Sequence, residues 1–118
     1  MTSLSFVLPL PPSVNALYAN AYGKGRVKTK AYLDWEDEAG WSMRISQMSD
    51  GKLGANFLKF DRLKLTIEVG GKGDLDNLKA IPDLLKTMSI IKDDKFIEVL
   101  HITRAKRDDL KLTIESIE

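Results

Sequence analysis

Arg62-Leu63-Lys64-Leu65-Thr66-Ile67-Glu68-Val69 alternates without a break. Successive side chains of an extended chain point to opposite faces. Leu63, Leu65, Ile67 and Val69 therefore face one way, and Arg62, Lys64, Thr66 and Glu68 the other. A strand written like this has one buried and one wet face. Its buried face needs a covering layer, and the flanking segments supply candidates.

Upstream, Thr29 can cap a helix running to about Gln47. Tyr32, Trp35, Ala39 and Met43 recur at helical spacing and form its apolar seam. Asp34, Glu36, Asp37 and Glu38 fall in its early turns, where the helix dipole favours negative charge. Gly51 and Gly54 mark the loop before the strand. Downstream, Gly70, Gly71 and Gly73 break the alternation. A second helix fits roughly Asp76 to Met88, with Leu78, Ile81, Leu85 and Met88 on one face. Pro82 lacks a backbone donor, so a late start or a kink is expected there.

Ile90 to Lys95 reads as a short connection. Phe96 to Lys106 reads as a strand, apolar on both faces near Ile97, Val99, Leu100 and Ile102, and hence central. Asp108 and Asp109 read as a hairpin turn before a last strand carrying Leu110, Leu112 and Ile114. At the other end, Leu4, Phe6, Leu8 and Leu10 alternate through a first strand, which Pro9, Pro11 and Pro12 close. Residues 13–28 read as a loop, with Asn15, Asn20, Gly23 and Gly25 as turn formers. The expected order is β-α-β-α-β-β: one α+β domain over residues 1–118, with helices packed on a mixed sheet.

The 118 residues fit one domain, and 43% hydrophobic with 30% charged residues describe an ordinary globular chain. Without cysteine, disulfides, thiolate zinc sites and cysteine nucleophiles are excluded. No apolar run is long enough to span a membrane. Met1 to Leu10 lacks the pattern of a signal peptide. The expected compartment is the cytoplasm. A net charge of +1 does not announce nucleic acid, but its distribution is uneven. Lys24, Arg26, Lys28 and Lys30 alternate just before the acidic run from Asp34 to Glu38. On extended chain those four cations share one side, behind Tyr18 and Tyr22. Such an arm suits phosphates, with an aromatic ring to stack on bases. A solvated loop is the ordinary alternative.

Gly73-Asp74-Leu75-Asp76-Asn77-Leu78 is the strongest local signal for chemistry. Asp74 and Asp76 are two apart, so on extended backbone they point to one side, about 6–7 Å apart. Two carboxylates about 4 Å apart repel by roughly 4 kcal/mol at an effective dielectric of 20, and a divalent cation removes that penalty. All-oxygen donors favour magnesium or manganese, which polarise phosphoryl oxygens and activate water. Turn and cap chemistry also explains such a motif. Asp93 and Asp94 can add a third carboxylate if their loop lies near this turn; a solvated turn is the alternative. Lys79 can hold a phosphate or pair with Asp83 four residues on. His101 stands alone, so zinc triads and Ser–His–Asp arrangements have no support.

Together these segments resemble the RusA family of Holliday junction resolvases over most of the chain. Leu8-Pro9-Leu10-Pro11-Pro12-Ser13-Val14-Asn15 is similar to the family's opening strand, proline pair and Pro-Ser-x-Asn turn. Asp74-Leu75-Asp76-Asn77-Leu78 is similar to its Asp-x-Asp-Asn-Leu, and Asp93-Asp94 stands before a strand as the family's acidic pair does. The resemblance implies a homodimeric, magnesium-dependent endonuclease acting on four-way DNA junctions, with manganese a possible substitute and no small-molecule cofactor. Asp74, Asp76 and Asp94 match the metal-binding carboxylates, and Asn15 falls in the matching turn. Members come from bacteria, phages and prophages.

One spacing departs. The family runs Asp-Asn-Leu-x-Lys, whereas this chain has Asp76-Asn77-Leu78-Lys79, and one residue of offset turns a helix by about 100°. Lys79 is the natural counterpart of the family's functional lysine. A DNA-binding homologue without catalysis is the rival expectation, and an interaction domain unrelated to nucleic acid a third.

Overall fold

The computed structural model describes residues 3–12, 18–21, 25–52, 54–71 and 78–117. Asn15, Lys24, Asp74 and Asp76 lie outside them. The chain folds as an α+β domain with a mixed four-stranded sheet and a separate two-stranded hairpin. Among the described residues, no helix is long and apolar enough to cross a membrane.

The alternating stretch forms β4, Leu63–Val69, with its four apolar residues buried. It sits between two strands. β6, Leu110–Ser116, runs antiparallel to it, and β5, Ile97–Arg104, runs parallel. β1, Ser3–Leu8, completes the order β1-β6-β4-β5 by pairing antiparallel with β6. Leu4, Phe6 and Leu8 of β1 join Leu110, Leu112 and Ile114 of β6 in one core. The apolar faces named from the alternation are the ones buried, except that Leu10, read into the first strand, lies beyond β1 and is exposed.

α1, Lys30–Ser49, starts where the sequence places it. The Thr29 hydroxyl accepts the Tyr32 N–H at 3.2 Å, which satisfies one of the donors a helix start leaves open. Tyr32, Trp35, Ala39 and Met43 are buried, as the seam requires. The first turn holds no acidic residue. Asp34 begins the second turn, and Glu36 is buried. The dipole argument for the acidic run therefore does not apply to its first-turn positions.

α2, Ala80–Thr87, begins late, with Pro82 inside its first turn. There proline removes no intrahelical bond, since first-turn N–H groups have no helical acceptor. Ala80, Ile81, Leu84 and Leu85 pack into the core. A 3-10 turn, Asp94–Phe96, then leads into β5.

Three expectations are corrected. β5 is an edge strand, with β4 as its only strand partner among the described residues. Its apolar residues are not those of a central strand: Val99 and Leu100 are exposed. β5 and β6 do not form a hairpin, because β4 lies between them. Their connection crosses the end of β4, where Gly70 donates to the Asp109 carbonyl at 2.9 Å. A β-carbon on Gly70 would lie 1.9 Å from the Arg107 carbonyl oxygen, so only glycine fits beneath this crossing. Residues 13–28, read as loop, contain β2, Tyr18–Ala21, and β3, Gly25–Lys28, paired antiparallel.

Candidate metal and nucleic-acid site

The candidate site is approached from β4. The chain leaves that strand at Gly70 and Gly71, and Leu78 and Lys79 precede α2. Asp74 and Asp76 belong to the intervening segment. Leu78 is buried and Lys79 is exposed. Asp83 does not pair with Lys79. It accepts the Tyr32 hydroxyl at 3.1 Å and the Tyr18 hydroxyl at 3.4 Å, both on the same carboxylate oxygen.

This three-residue junction ties three elements together. Tyr18 lies on β2, Tyr32 on α1 and Asp83 in the first turn of α2. The two rings meet edge to face, 5.6 Å apart and at 85°. Burial raises the Tyr32 hydroxyl far above the ordinary phenol range, and the Asp83 charge pushes it the same way. The hydroxyl therefore stays protonated and donates. A buried tyrosine usually finds a partner for its hydroxyl. That rule, applied to Tyr32 in the helix seam, was the available signal that an acceptor had to be nearby. The alternation of apolar residues does not say which one.

The basic segment is divided by the fold. Arg26 and Lys28 lie two apart on β3 and share a face, but Lys30 is already the first residue of α1. The row of cations does not continue along one strand. Arg26 is exposed and stacks over the Tyr18 ring at 4.8 Å. Lys28 donates to both oxygens of the buried Glu36, at 3.0 and 3.1 Å, and lies 5.0 Å from the centre of the Tyr32 ring. Lys30 pairs with Asp34 on the exposed surface at 2.8 Å. Among the described residues of this segment, Arg26 is thus the cation that is both exposed and backed by an aromatic ring.

Asp93 and Asp94 begin the approach to β5. The Asp93 side chain accepts the Lys95 N–H at 3.1 Å and caps the 3-10 turn. Its hydrogen bond with Asp94, then that from the Lys95 backbone, holds the Asp93 carboxyl below the usual carboxylate range. Lys86, in the last turn of α2, contributes in the same direction. Asp94 itself is exposed.

Parallel pairing sets the distances between these parts. β4 and β5 run the same way, so Asp94 stands at the end of the pair where β4 begins. Gly71 leaves the other end, about 20 Å away along a strand rising about 3.3 Å per residue. Lys79 stands at the start of α2, and the acidic pair lies near its last turn. Among the described residues, no three acidic or imidazole side chains gather as a metal cage. Compared with known proteins, the chain matches no family model and no curated protein.

Proposed function

We propose that the chain is a magnesium-dependent, structure-selective endonuclease that resolves four-way DNA junctions as a homodimer, in the cytoplasm of a bacterium and encoded by host, phage or prophage. The order of the three sequence segments carries this reading: the proline-rich turn through Asn15, Asp74-Leu75-Asp76-Asn77, and Asp93-Asp94 before β5. The fold supports it by fastening the Arg26 hairpin, through Tyr18 and Asp83, to the first turn of α2, just beyond the acidic motif.

Asp74 and Asp76 would hold the divalent ion, with carboxylate oxygens that suit magnesium and tolerate manganese; the resemblance adds Asp94 as a third ligand, which stands at the opposite end of the β4–β5 pair from Gly71. Bound there, the ion supplies Lewis acidity toward a phosphoryl oxygen and a water of lowered pKa. Arg26 stacks on Tyr18 and offers its guanidinium to the phosphate backbone, with Lys24 in the same hairpin segment. Lys28 and Lys30 add positive potential from within their ion pairs, and the resemblance would give Asn15 a part in DNA binding. Lys79 is an exposed cation just before α2 and would neutralise phosphate charge. A four-way junction is close to two-fold symmetric, so two identical sites can nick opposing strands.

A second reading, junction binding without scission, is favoured by one observation: Lys79 precedes the first turn of α2, whereas Asp93, the neighbour of Asp94, is within electrostatic reach of Lys86 in its last turn. Junction cleavage with magnesium or EDTA, by the native chain and by Asp76→Asn, separates the two. Magnesium-dependent nicks that vanish in Asp76→Asn support the nuclease. Retention of the junction without products supports the binder.

A further inference from the structure

The second half of α1, the turn at residues 54–58 and the end of α2 enclose a cleft of about 370 Å³, room enough for a small ligand. Two hydrogen bonds fasten its walls. The Phe57 N–H donates to the Ile90 carbonyl at 2.7 Å, and Gln47 Nε2 donates to the Ala55 carbonyl at 2.9 Å. Leu58 and Met88 give the cleft an apolar side. A cleft of similar volume between β1 and α1 is lined by no buried polar residue.

This cleft carries polar groups with bonding capacity to spare. Gln47 is only 6% exposed. Its Nε2 bond fixes the amide, and its Oε1 receives no donor among the described residues. None of their buried side-chain polar atoms is unsatisfied, so this oxygen opens on the cleft. Arg44 stands one turn earlier on the same helix face. It is exposed, and its guanidinium has no ion pair or hydrogen bond among the described residues. The helix gives it no acid at neighbouring positions, which are Gly40, Trp41, Gln47 and Met48.

Ser89 also lines the cleft, and its backbone is held in the left-handed region at φ 57°. It sits just past the C-cap of α2, where glycine is usual. Its N–H donates to the Lys86 carbonyl at 3.0 Å, and the Ile90 N–H to the Leu85 carbonyl at 2.9 Å, the two bonds of a Schellman ending. Glycine would make this turn without steric cost. What serine adds there is a hydroxyl, and that hydroxyl has no partner among the described residues.

We propose that the cleft binds the carboxyl-terminal residue of a peptide whose last side chain is apolar. One guanidinium beside a hydroxyl suits a carboxylate, which takes paired N–H bonds from the arginine fork. Among the described residues no acid lines the cleft, so a free amino group would enter without a counter-charge. An amide N–H needs none, and donates to Gln47 Oε1. In a C-terminal residue the carboxylate and the amide nitrogen share one carbon, as Arg44 and Gln47 share one helix face. The side chain then meets Leu58 and Met88. Arg44, Leu58 and Ser89 are exposed at the rim, where the preceding residues leave. The inference goes beyond junction cleavage and requires no magnesium.

Calorimetric titration with N-acetyl-glycyl-glycyl-leucine, in EDTA, tests it. The expected result is saturable binding, weakened about tenfold or more by Arg44→Gln, by amidating the carboxylate, or by methylating the leucine nitrogen. Arg44 is exposed, so Arg44→Gln should keep the native urea midpoint. Ser89→Gly should raise that midpoint while lowering affinity, a split that a purely structural serine would not produce. Amide shifts in NMR should centre on Arg44, Gln47 and Ser89. Absence of binding overturns the proposal, as does binding indifferent to Arg44→Gln and to amidation, or shifts centred on the Arg26 hairpin. Tighter binding of N-acetylleucine than of the longer peptide overturns the peptide assignment in favour of a free acylated amino acid.

Discussion

Asp83→Ala tests the junction that joins the hairpin, α1 and α2. Tyr32 has no exposed surface, and its hydroxyl donates to Asp83 at 3.1 Å. Without the carboxylate this donor is left buried and unsatisfied, which costs about 1–3 kcal/mol. Tyr18 is half-buried, and its longer bond of 3.4 Å is more easily replaced by water. The expected loss is therefore about 2 kcal/mol, set mainly by Tyr32. Tyr32→Phe removes the donor and leaves a half-exposed carboxylate to water, for a loss of about 1 kcal/mol. With both changes the interaction is absent and no donor is orphaned. The pair should thus cost less than the two single losses together, by about 1 kcal/mol. Urea unfolding followed by tryptophan fluorescence measures all four proteins, with the m-value checked for constancy. Strictly additive losses, or a neutral Asp83→Ala, would refute the argument.

Two further outcomes follow from the same structure. The Tyr32 hydroxyl titrates above its ordinary value of 10.0, so its contribution is complete below that pH and falls as pH rises beyond it. Urea midpoints of the native chain should drop above pH 10.0 more steeply than those of Tyr32→Phe, and parallel curves would contradict this. Gly70→Ala drives a methyl group against the Arg107 carbonyl. It should destabilise by about 3 kcal/mol, the upper range for overpacking, as read from the urea midpoint.

What the sequence makes legible is what local pattern controls. The period of two in β4 and the seam of α1 each report a face that must be covered, and both are covered as read. Pro82 likewise marks the late start of α2. The reading of β5 as central fails for a definite reason. Apolar residues on both faces show an appetite for burial, not the presence of a neighbour, and here Val99 and Leu100 stay exposed among the described residues. The supposed β5–β6 hairpin fails because adjacency in sequence does not reveal that β4 inserts between the two strands. The small β2–β3 hairpin hides because its four-residue strands are too short and polar to alternate visibly.

For the candidate site, the residue types were legible and the long-range partners were not. Arg26 against Tyr18, Lys28 against Glu36 and Asp83 against Tyr32 all depend on elements brought together by the fold. Spacing along the chain suggested Lys79 with Asp83, since four residues is one helical turn. Lys79 precedes α2, and Asp83 is held by the two tyrosines instead.

The most direct test of the central claim is cleavage of an end-labelled four-way junction by the native chain and by Asp76→Asn, with magnesium or EDTA and a linear duplex beside it. The account predicts paired, magnesium-dependent nicks near the branch point, lost in Asp76→Asn while junction binding persists. Equal cleavage by Asp76→Asn, or no cleavage by the native chain, would contradict it.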